Sequence, residues 1–104
     1  MTHSGAKTSY DTIVAQCLKD ADVSLGKMLN AQSLRVKGKS FAYLGTDGLV
    51  VKLPASDVSD LERRDLGKRL VVGKRVMKEW LVVSNAHFDM WSELVAQAQA
   101  FVGR

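Results

Sequence analysis

Hydrophobic residues recur along this chain at two spacings, first that of a helix and then that of β-strands. From Tyr10 onward the apolar positions follow i, i+3, i+4, i+7 and i+8, and they are occupied by Tyr10, Ile13, Val14, Cys17 and Leu18. This spacing predicts an α-helix with Ser9 as its N-cap. Residues 1–9 have no periodicity and are predicted to be a disordered tail. Residues 21–33 show no clear period, although Lys27-Met28-Leu29 is compatible with a short strand.

The middle of the chain alternates apolar and polar positions in three runs. The apolar residues of these runs are Leu34 and Val36, then Phe41 and Tyr43, then Leu49, Val51 and Leu53. A period of two places such residues on one face of a strand. Lys37-Gly38-Lys39 and Thr46-Asp47-Gly48 separate the runs and have the composition of hairpin turns. Three antiparallel strands are therefore predicted.

The second half of the chain predicts a helix, a hairpin and a second helix. Pro54 ends the third strand, and Ser56 is the predicted cap of a short helix that ends at Gly67. Residues 69–72 and 76–84 then form a hairpin about Gly73-Lys74. The last helix has a continuous apolar stripe, formed by Phe88, Trp91, Leu94, Val95, Ala98, Phe101 and Val102.

This order of elements, α-β-β-β-α-β-β-α, predicts an α+β fold. An antiparallel sheet of about five strands with its helices on one face buries these elements best, as a two-layer sandwich. Residues 10–104 contain no linker or repeat and are predicted to form one domain. We expect the interior to contain Phe41, Leu49, Val51, Trp80, Trp91, Leu94 and Phe101. Trp80 is expected between the sheet and a helix.

Five ordered sequence blocks resemble a known family. They read Lys27-Met28-Leu29-Asn30, Lys37-Gly38-Lys39-Ser40-Phe41, Asp47-Gly48-Leu49-Val50-Val51-Lys52-Leu53-Pro54, Arg75-Val76-Met77-Lys78-Glu79-Trp80 and Trp91. In these blocks the chain resembles the small bacterial proteins related to the TfoX N-terminal domain and the neighbouring MmcQ/YjbR family, over about residues 28–102. The first block departs from the family pattern, since Leu29-Asn30 stands where an aromatic residue and glycine are usual. The resemblance implies a secretion-chaperone-like α/β fold and a link to DNA binding or competence regulation.

Charge and composition narrow the classes of partner. The chain has 104 residues, a net charge of +4 and an isoelectric point near 9.4, which favours anionic partners. It contains a single cysteine, a polar N-terminus and no apolar run approaching the roughly 20 residues that span a bilayer. We therefore expect a cytoplasmic protein without disulfides and without membrane association.

Basic residues are concentrated at the two predicted lysine-bearing hairpins. Residues 63–78 contain seven basic residues and one acid, a net charge of +6. The candidate nucleic-acid-binding residues are Lys37, Lys39, Lys68, Arg69, Lys74, Arg75 and Lys78. Basic hairpins beside a sheet can contact the phosphates of DNA or RNA. Lysines at hairpin tips and edge strands also keep proteins soluble and prevent edge pairing, which is the simpler interpretation.

The sequence contains no recognisable arrangement of catalytic or metal-binding residues. Cys17 lies on the inward face of its predicted helix, and His87 has no second metal ligand at helical or hairpin spacing. The acidic residues of the short helix alternate with arginines as on a solvated face. Gly45 and Gly48 are isolated turn residues rather than a phosphate-binding loop. We predict a protein that is not an enzyme and has no metal or cofactor.

Two functions remain after these exclusions. The first is a nucleic-acid-binding or transcription-regulatory module that uses the basic hairpins. The second is a protein-interaction module, chaperone-like or homodimeric, that uses an exposed sheet face or the last helix. The concentration of basic residues favours the first.

Overall fold

The computed structural model describes residues 2–28, 31–45 and 48–103. Its helices are α1 (Thr2–Cys17), α2 (Ala55–Arg63) and α3 (Trp91–Val102), with a 3-10 helix at Asn85–Met90. Its strands are β1 (Val23–Met28), β2 (Ala31–Val36), β3 (Lys39–Leu44), β4 (Gly48–Lys52), β5 (Lys68–Val72) and β6 (Arg75–Ser84). Among these described residues, no helix is both long and apolar enough to cross a membrane.

The strands form one antiparallel sheet in the order β1-β2-β3-β4-β6-β5. The predicted α+β class and the order of helices and strands are confirmed, with one strand more than expected. The additional strand is β1, in the segment whose sequence has no clear period. It pairs with β2 along its length, from Val23 opposite Val36 to Met28 opposite Ala31, so pairing with a neighbour rather than its own pattern defines it.

One row of paired residues crosses all six strands and organises the core. From β1 to β5 the row reads Leu25, Leu34, Ala42, Val51, Leu81 and Arg69. Its four central residues are fully buried. They share a single apolar core with Trp91 and Leu94 of α3, Ile13 of α1 and Val58 of α2. All three α-helices therefore contribute to one face of the sheet, which we call the inner face.

The outer face of the sheet carries a smaller cluster made by strand residues alone. Tyr43, Val50 and Trp80 form it, with Leu70, Met77 and Val82 packed against them. Trp80 is only 6% exposed, as its predicted burial requires, but it lies on this face rather than between the sheet and a helix. Strand alternation explains the position, because Leu81 points into the helix-covered core and Trp80 must point away from it.

An irregularity in the pairing of β2 with β3 overturns a prediction based on strict alternation. In β3, Ala42 pairs with Leu34 while Ser40 pairs with Arg35, so Phe41 is an additional residue in the ladder. Phe41 and Ala42 consequently both join the inner core, and Tyr43 joins the outer cluster. The prediction that Phe41 and Tyr43 share one face is therefore wrong.

The helix boundaries also differ from the predicted ones. The predicted start of α1 behind a tail of residues 1–9 is wrong, because the helix already begins at Thr2; Met1 lies outside the described residues. The helix α2 begins directly after Pro54 without a side-chain cap, so Ser56 is not its cap. Phe88, predicted within the last apolar stripe, lies in the 3-10 helix and is 39% exposed.

The row across the sheet generates a stability prediction. Replacing Leu81 with alanine should lower the free energy of unfolding by about 2–5 kcal/mol, because a fully buried leucine leaves a cavity. The matched control is Val76→Ala on the same strand, where the side chain is 54% exposed and the loss should stay within about 0.5 kcal/mol. Urea unfolding followed by tryptophan fluorescence measures both, and equal losses would contradict the assigned faces.

Candidate nucleic-acid interface

Both lysine-bearing hairpins project from the same end of the sheet. Lys39 pairs with Val36, which lies two residues beyond Leu34 along β2. Arg75 pairs with Val72, which lies three residues beyond Arg69 along β5. Leu34 and Arg69 both belong to the row of paired residues that crosses the sheet. The strands β2 and β5 run in the same direction, since each adjacent pair between them is antiparallel. At about 3.3 Å per residue, the two positions lie roughly 7 and 10 Å beyond the row.

The two hairpins are also close to each other across the sheet. Only β4 separates β3 from β6, so Lys39 and Arg75 belong to strands about 10 Å apart. This separation falls between the widths of the two grooves of B-DNA, about 6 and 12 Å. Charges at both tips can therefore contact phosphates on the same side of a duplex.

Both tips leave room for a ligand to approach their backbone. Lys37 and Gly38 have φ angles of 53° and 83°, and Gly73 has a φ of 61°, as tight hairpin turns require. A Cβ atom added to Gly38 or Gly73 would meet no heavy atom within 4 Å. The turns are thus open on their outer side.

Four of the seven predicted basic residues are exposed at this end, and their side chains make no hydrogen bond or ion pair with the described residues: Lys39, Lys74, Arg75 and Lys78. Lys37 is different, because its Nζ donates a hydrogen bond of 3.0 Å to the carbonyl oxygen of Gly103, just after α3. Lys37 therefore ties its hairpin to the helical layer. The other four cations are available to an anion.

Lys68 and Arg69 lie elsewhere and do not join this group. Lys68 begins β5, four residues and about 13 Å from Val72 at the hairpin tip. Arg69 turns toward α2, where its Nη2 donates to Ser59 Oγ at 2.6 Å and its Nη1 lies 3.5 Å from Glu62 Oε1. The structure thus divides the predicted site into a cluster at the tips and two residues at the far end of β5.

The structure adds Lys52, which the sequence did not single out. Lys52 pairs with Trp80, and its Nζ lies 5.9 Å from the centroid of the Trp80 ring. Together with Arg75, Lys78 and Glu79 it lines a cleft of about 490 Å³ at the end of β6 nearest the tips. Its pairing partner could not be read from the sequence, although the alternation Val51-Lys52-Leu53 already placed it on the outer face. We call Lys39, Lys52, Lys74, Arg75 and Lys78 the basic end.

The buried position of Trp80 limits how the basic end can act. Its ring packs on Tyr43 at a centroid distance of 6.2 Å and a tilt of 53°, and only 6% of the residue is exposed. Stacking on a base requires an accessible ring face, as in single-strand binders. The arrangement is therefore suited to contacts with phosphates rather than bases.

The remaining candidate residues occupy separate environments. Burial and the neighbouring Asp20 both raise the pKa of the half-buried Cys17 thiol. His87 lines a second cleft, beside Lys68 and Ser84.

Hydrogen bonds from Arg63 and Arg64 lower the pKa of Asp60, so this carboxylate belongs to a surface ion-pair group on α2. In the described ranges, no three residues among His, Cys, Asp and Glu are grouped as metal ligands.

Comparisons with protein-family models, with curated proteins and with solved structures find no match to this chain. The resemblance to the TfoX N-terminal and MmcQ/YjbR families is not tested by them and stays a prediction. The function must accordingly be argued from the site itself.

The environment of Cys17 predicts low reactivity. A raised pKa leaves a smaller thiolate fraction near neutral pH, and the thiolate is the nucleophile, so alkylation by iodoacetamide at about pH 8 should be severalfold slower in the folded protein than in urea. The pH of half-maximal rate should also be higher in the folded protein. Mass spectrometry over a pH series measures both effects, and a folded-state rate equal to that in urea would contradict the environment described.

Proposed function

We propose that the protein binds the sugar–phosphate backbone of nucleic acid through the basic end, with little sequence preference. The observation that carries this proposal is the projection of both lysine-bearing hairpins from one end of the sheet. Phosphate contacts by lysine and arginine supply most sequence-independent affinity. As proposed, the role is regulatory or architectural and non-enzymatic.

The exposure of four unpaired basic side chains supports this function. Lys39, Lys74, Arg75 and Lys78 are exposed and carry no protein counter-charge among the described residues, so they need not be released from an ion pair before they bind. Glu79 is the acid of the adjacent cleft, and three basic residues line the same cleft. The net charge of +4 for the whole chain adds longer-range attraction for a polyanion.

The two most specific sequence blocks meet in this region. Val51-Lys52-Leu53-Pro54 ends β4, and Arg75-Val76-Met77-Lys78-Glu79-Trp80 begins β6, where Lys52 pairs with Trp80. The blocks therefore supply Lys52, Arg75 and Lys78 to one cleft. We propose on this basis that the chain is a relative of the TfoX N-terminal and MmcQ/YjbR proteins. The single cysteine and the polar N-terminus support the further proposal that it acts in the cytoplasm.

A protein-interaction function is the second candidate. The β5–β6 hairpin exposes Val71, Val72 and Val76 by 57%, 40% and 54%. Apolar residues that cluster at an exposed position often mark contacts with other proteins. Both functions can occur in one protein, because the valines and the basic end are different residues.

Salt sensitivity is the first test of nucleic-acid binding. If about four phosphates are neutralised, the slope of roughly −0.9 per phosphate predicts a loss of about 100-fold in affinity between 50 and 200 mM salt. Fluorescence polarisation with a labelled 20-base-pair duplex and a single strand of equal length measures this slope. Absence of binding to both probes at 50 mM salt would favour the protein-interaction function.

Charge reversal tests the location of binding. The double variant Lys39→Glu with Arg75→Glu should abolish binding, whereas Arg64→Glu with Lys68→Glu should retain most of it. Each double variant lowers the net charge by the same amount, but the second pair is distant from the basic end. The melting temperature should change little in either, because exposed charges contribute little to stability. Equal loss of binding in both variants would mean that total charge, rather than the basic end, attracts the nucleic acid.

A further inference from the structure

The strand β5 forms one edge of the sheet. In the order β1-β2-β3-β4-β6-β5 it pairs with β6 alone, so one side of its backbone has no strand partner among the described residues. An unpaired strand edge presents alternating N–H and C=O groups that can bind another strand. The backbone N–H of Arg69 already donates to Glu62 Oε2 at 3.2 Å, so the segment Leu70–Val72 is the part of this edge with the backbone chemistry for strand addition.

The side chains of β5 differ from those of a protected edge. Val71 and its pairing partner Val76 are both more than half exposed, and Val72 is 40% exposed. An added strand would cover Val71 on one face and Leu70 and Val72 on the other, because side chains alternate along a strand. Such coverage removes apolar surface from water on both faces.

A cleft also runs beside β5. It has a volume of about 620 Å³ and is lined by residues 65–71 together with Val82, Ser84 and His87. Because Val82 and Ser84 belong to β6, the cleft lies over a face of the β5–β6 pair rather than along the unpaired edge. Side chains of a strand added along β5 can project into it, because they alternate between the two faces.

Charge around β5 favours an acidic occupant, because Glu62 is paired with Arg69 and Asp65 is the one acid among the residues that line the adjacent cleft. Lys68 at its start and Lys74 and Arg75 at the following turn are exposed and unpaired among the described residues. A second copy of this chain would bring a second set of these cations to the same edge, which opposes self-pairing. An acidic segment would be attracted by these cations, whereas a second copy of this chain would be repelled by them.

We propose that β5 binds an acidic, extended segment of a partner protein as an additional strand of the sheet, with the apolar residues of that segment on the same face as Val71. This surface adjoins the basic end and shares Lys74 and Arg75 with it, whereas the β5 backbone, Lys68 and the valines belong to this surface alone. The backbone of β5 supplies affinity, the valines supply apolar contacts, and Lys68 with the hairpin cations selects acidic side chains.

A synthetic peptide tests the proposal. The probe is an end-capped, fluorescein-labelled seven-residue peptide of alternating glutamate and valine; the comparisons are its lysine–valine counterpart and a form N-methylated at alternate residues. The acidic peptide should bind at least about tenfold more tightly than either comparison, because one lacks charge complementarity and the other lacks backbone donors. Binding should also slow amide hydrogen exchange in Lys68–Val72.

Matched variants locate the bound peptide. Val71→Ser with Val76→Ser should weaken binding about tenfold, since two valines then offer less apolar surface. Leu25→Ser, at an apolar residue 41% exposed on the opposite edge strand β1, should leave the affinity unchanged. Both variants alter exposed positions, so circular dichroism should remain that of the parent protein. Lys39→Glu should weaken nucleic-acid binding without changing peptide binding, which separates the two proposals.

Other outcomes would overturn the proposal. No slowing of β5 amide exchange at about 1 mM acidic peptide would do so, as would unchanged affinity in the valine variant. Sedimentation that shows a dimer with β5 amides protected in the free protein would make a second copy the occupant. Slowed exchange of β5 on adding a DNA duplex, but not the peptide, would assign this edge to nucleic acid.

Discussion

The packing of α3 onto the centre of the sheet is the interaction on which the rest of the structure depends. α3 packs on β3 and β4, and its Trp91 and Leu94 share one core with Leu34, Val51 and Leu81, three sheet residues that are fully excluded from water. Register across the sheet follows from this contact, because a slip of one residue in β4 or β6 would turn its buried face toward solvent. This register in turn determines where each hairpin tip lies relative to the core. A contact without any charge thus determines where the cations lie.

Placement of helices on one face leaves the opposite face to be closed by strands alone. Tyr43, Val50 and Trp80 achieve this with three further partly buried residues, and the ammonium nitrogen of Lys52 lies over the ring of Trp80. A cation over the face of an aromatic ring is attracted by the negative charge of that face. The outer cluster and the cleft of the basic end therefore share residues, which couples the stability of this face to the geometry of the proposed site.

Much of the fold could be predicted from the sequence because its signals are local. Alternation in Leu49, Val51 and Leu53 and the helical stripe from Trp91 depend only on spacing, and both elements are present. The bulge at Phe41 could not be predicted, since it arises from how β2 and β3 pair. The two lysine-bearing turns were also local signals. Their common direction, the separation of Lys68 from them and the addition of Lys52 all depend on strand order, which no local pattern contains.

The irregular pairing of β5 with β6 has a mechanical consequence. Between the pairs Arg69–Leu81 and Val71–Val76, Leu70 alone on β5 faces the segment Met77–Trp80 on β6. Past this irregularity the hairpin continues as a ribbon of two strands, because β4 has already ended at Lys52. A ribbon of two strands has little stability of its own and opens more readily than a sheet. The hairpin can therefore change its angle to the sheet at little cost to the core that supports it.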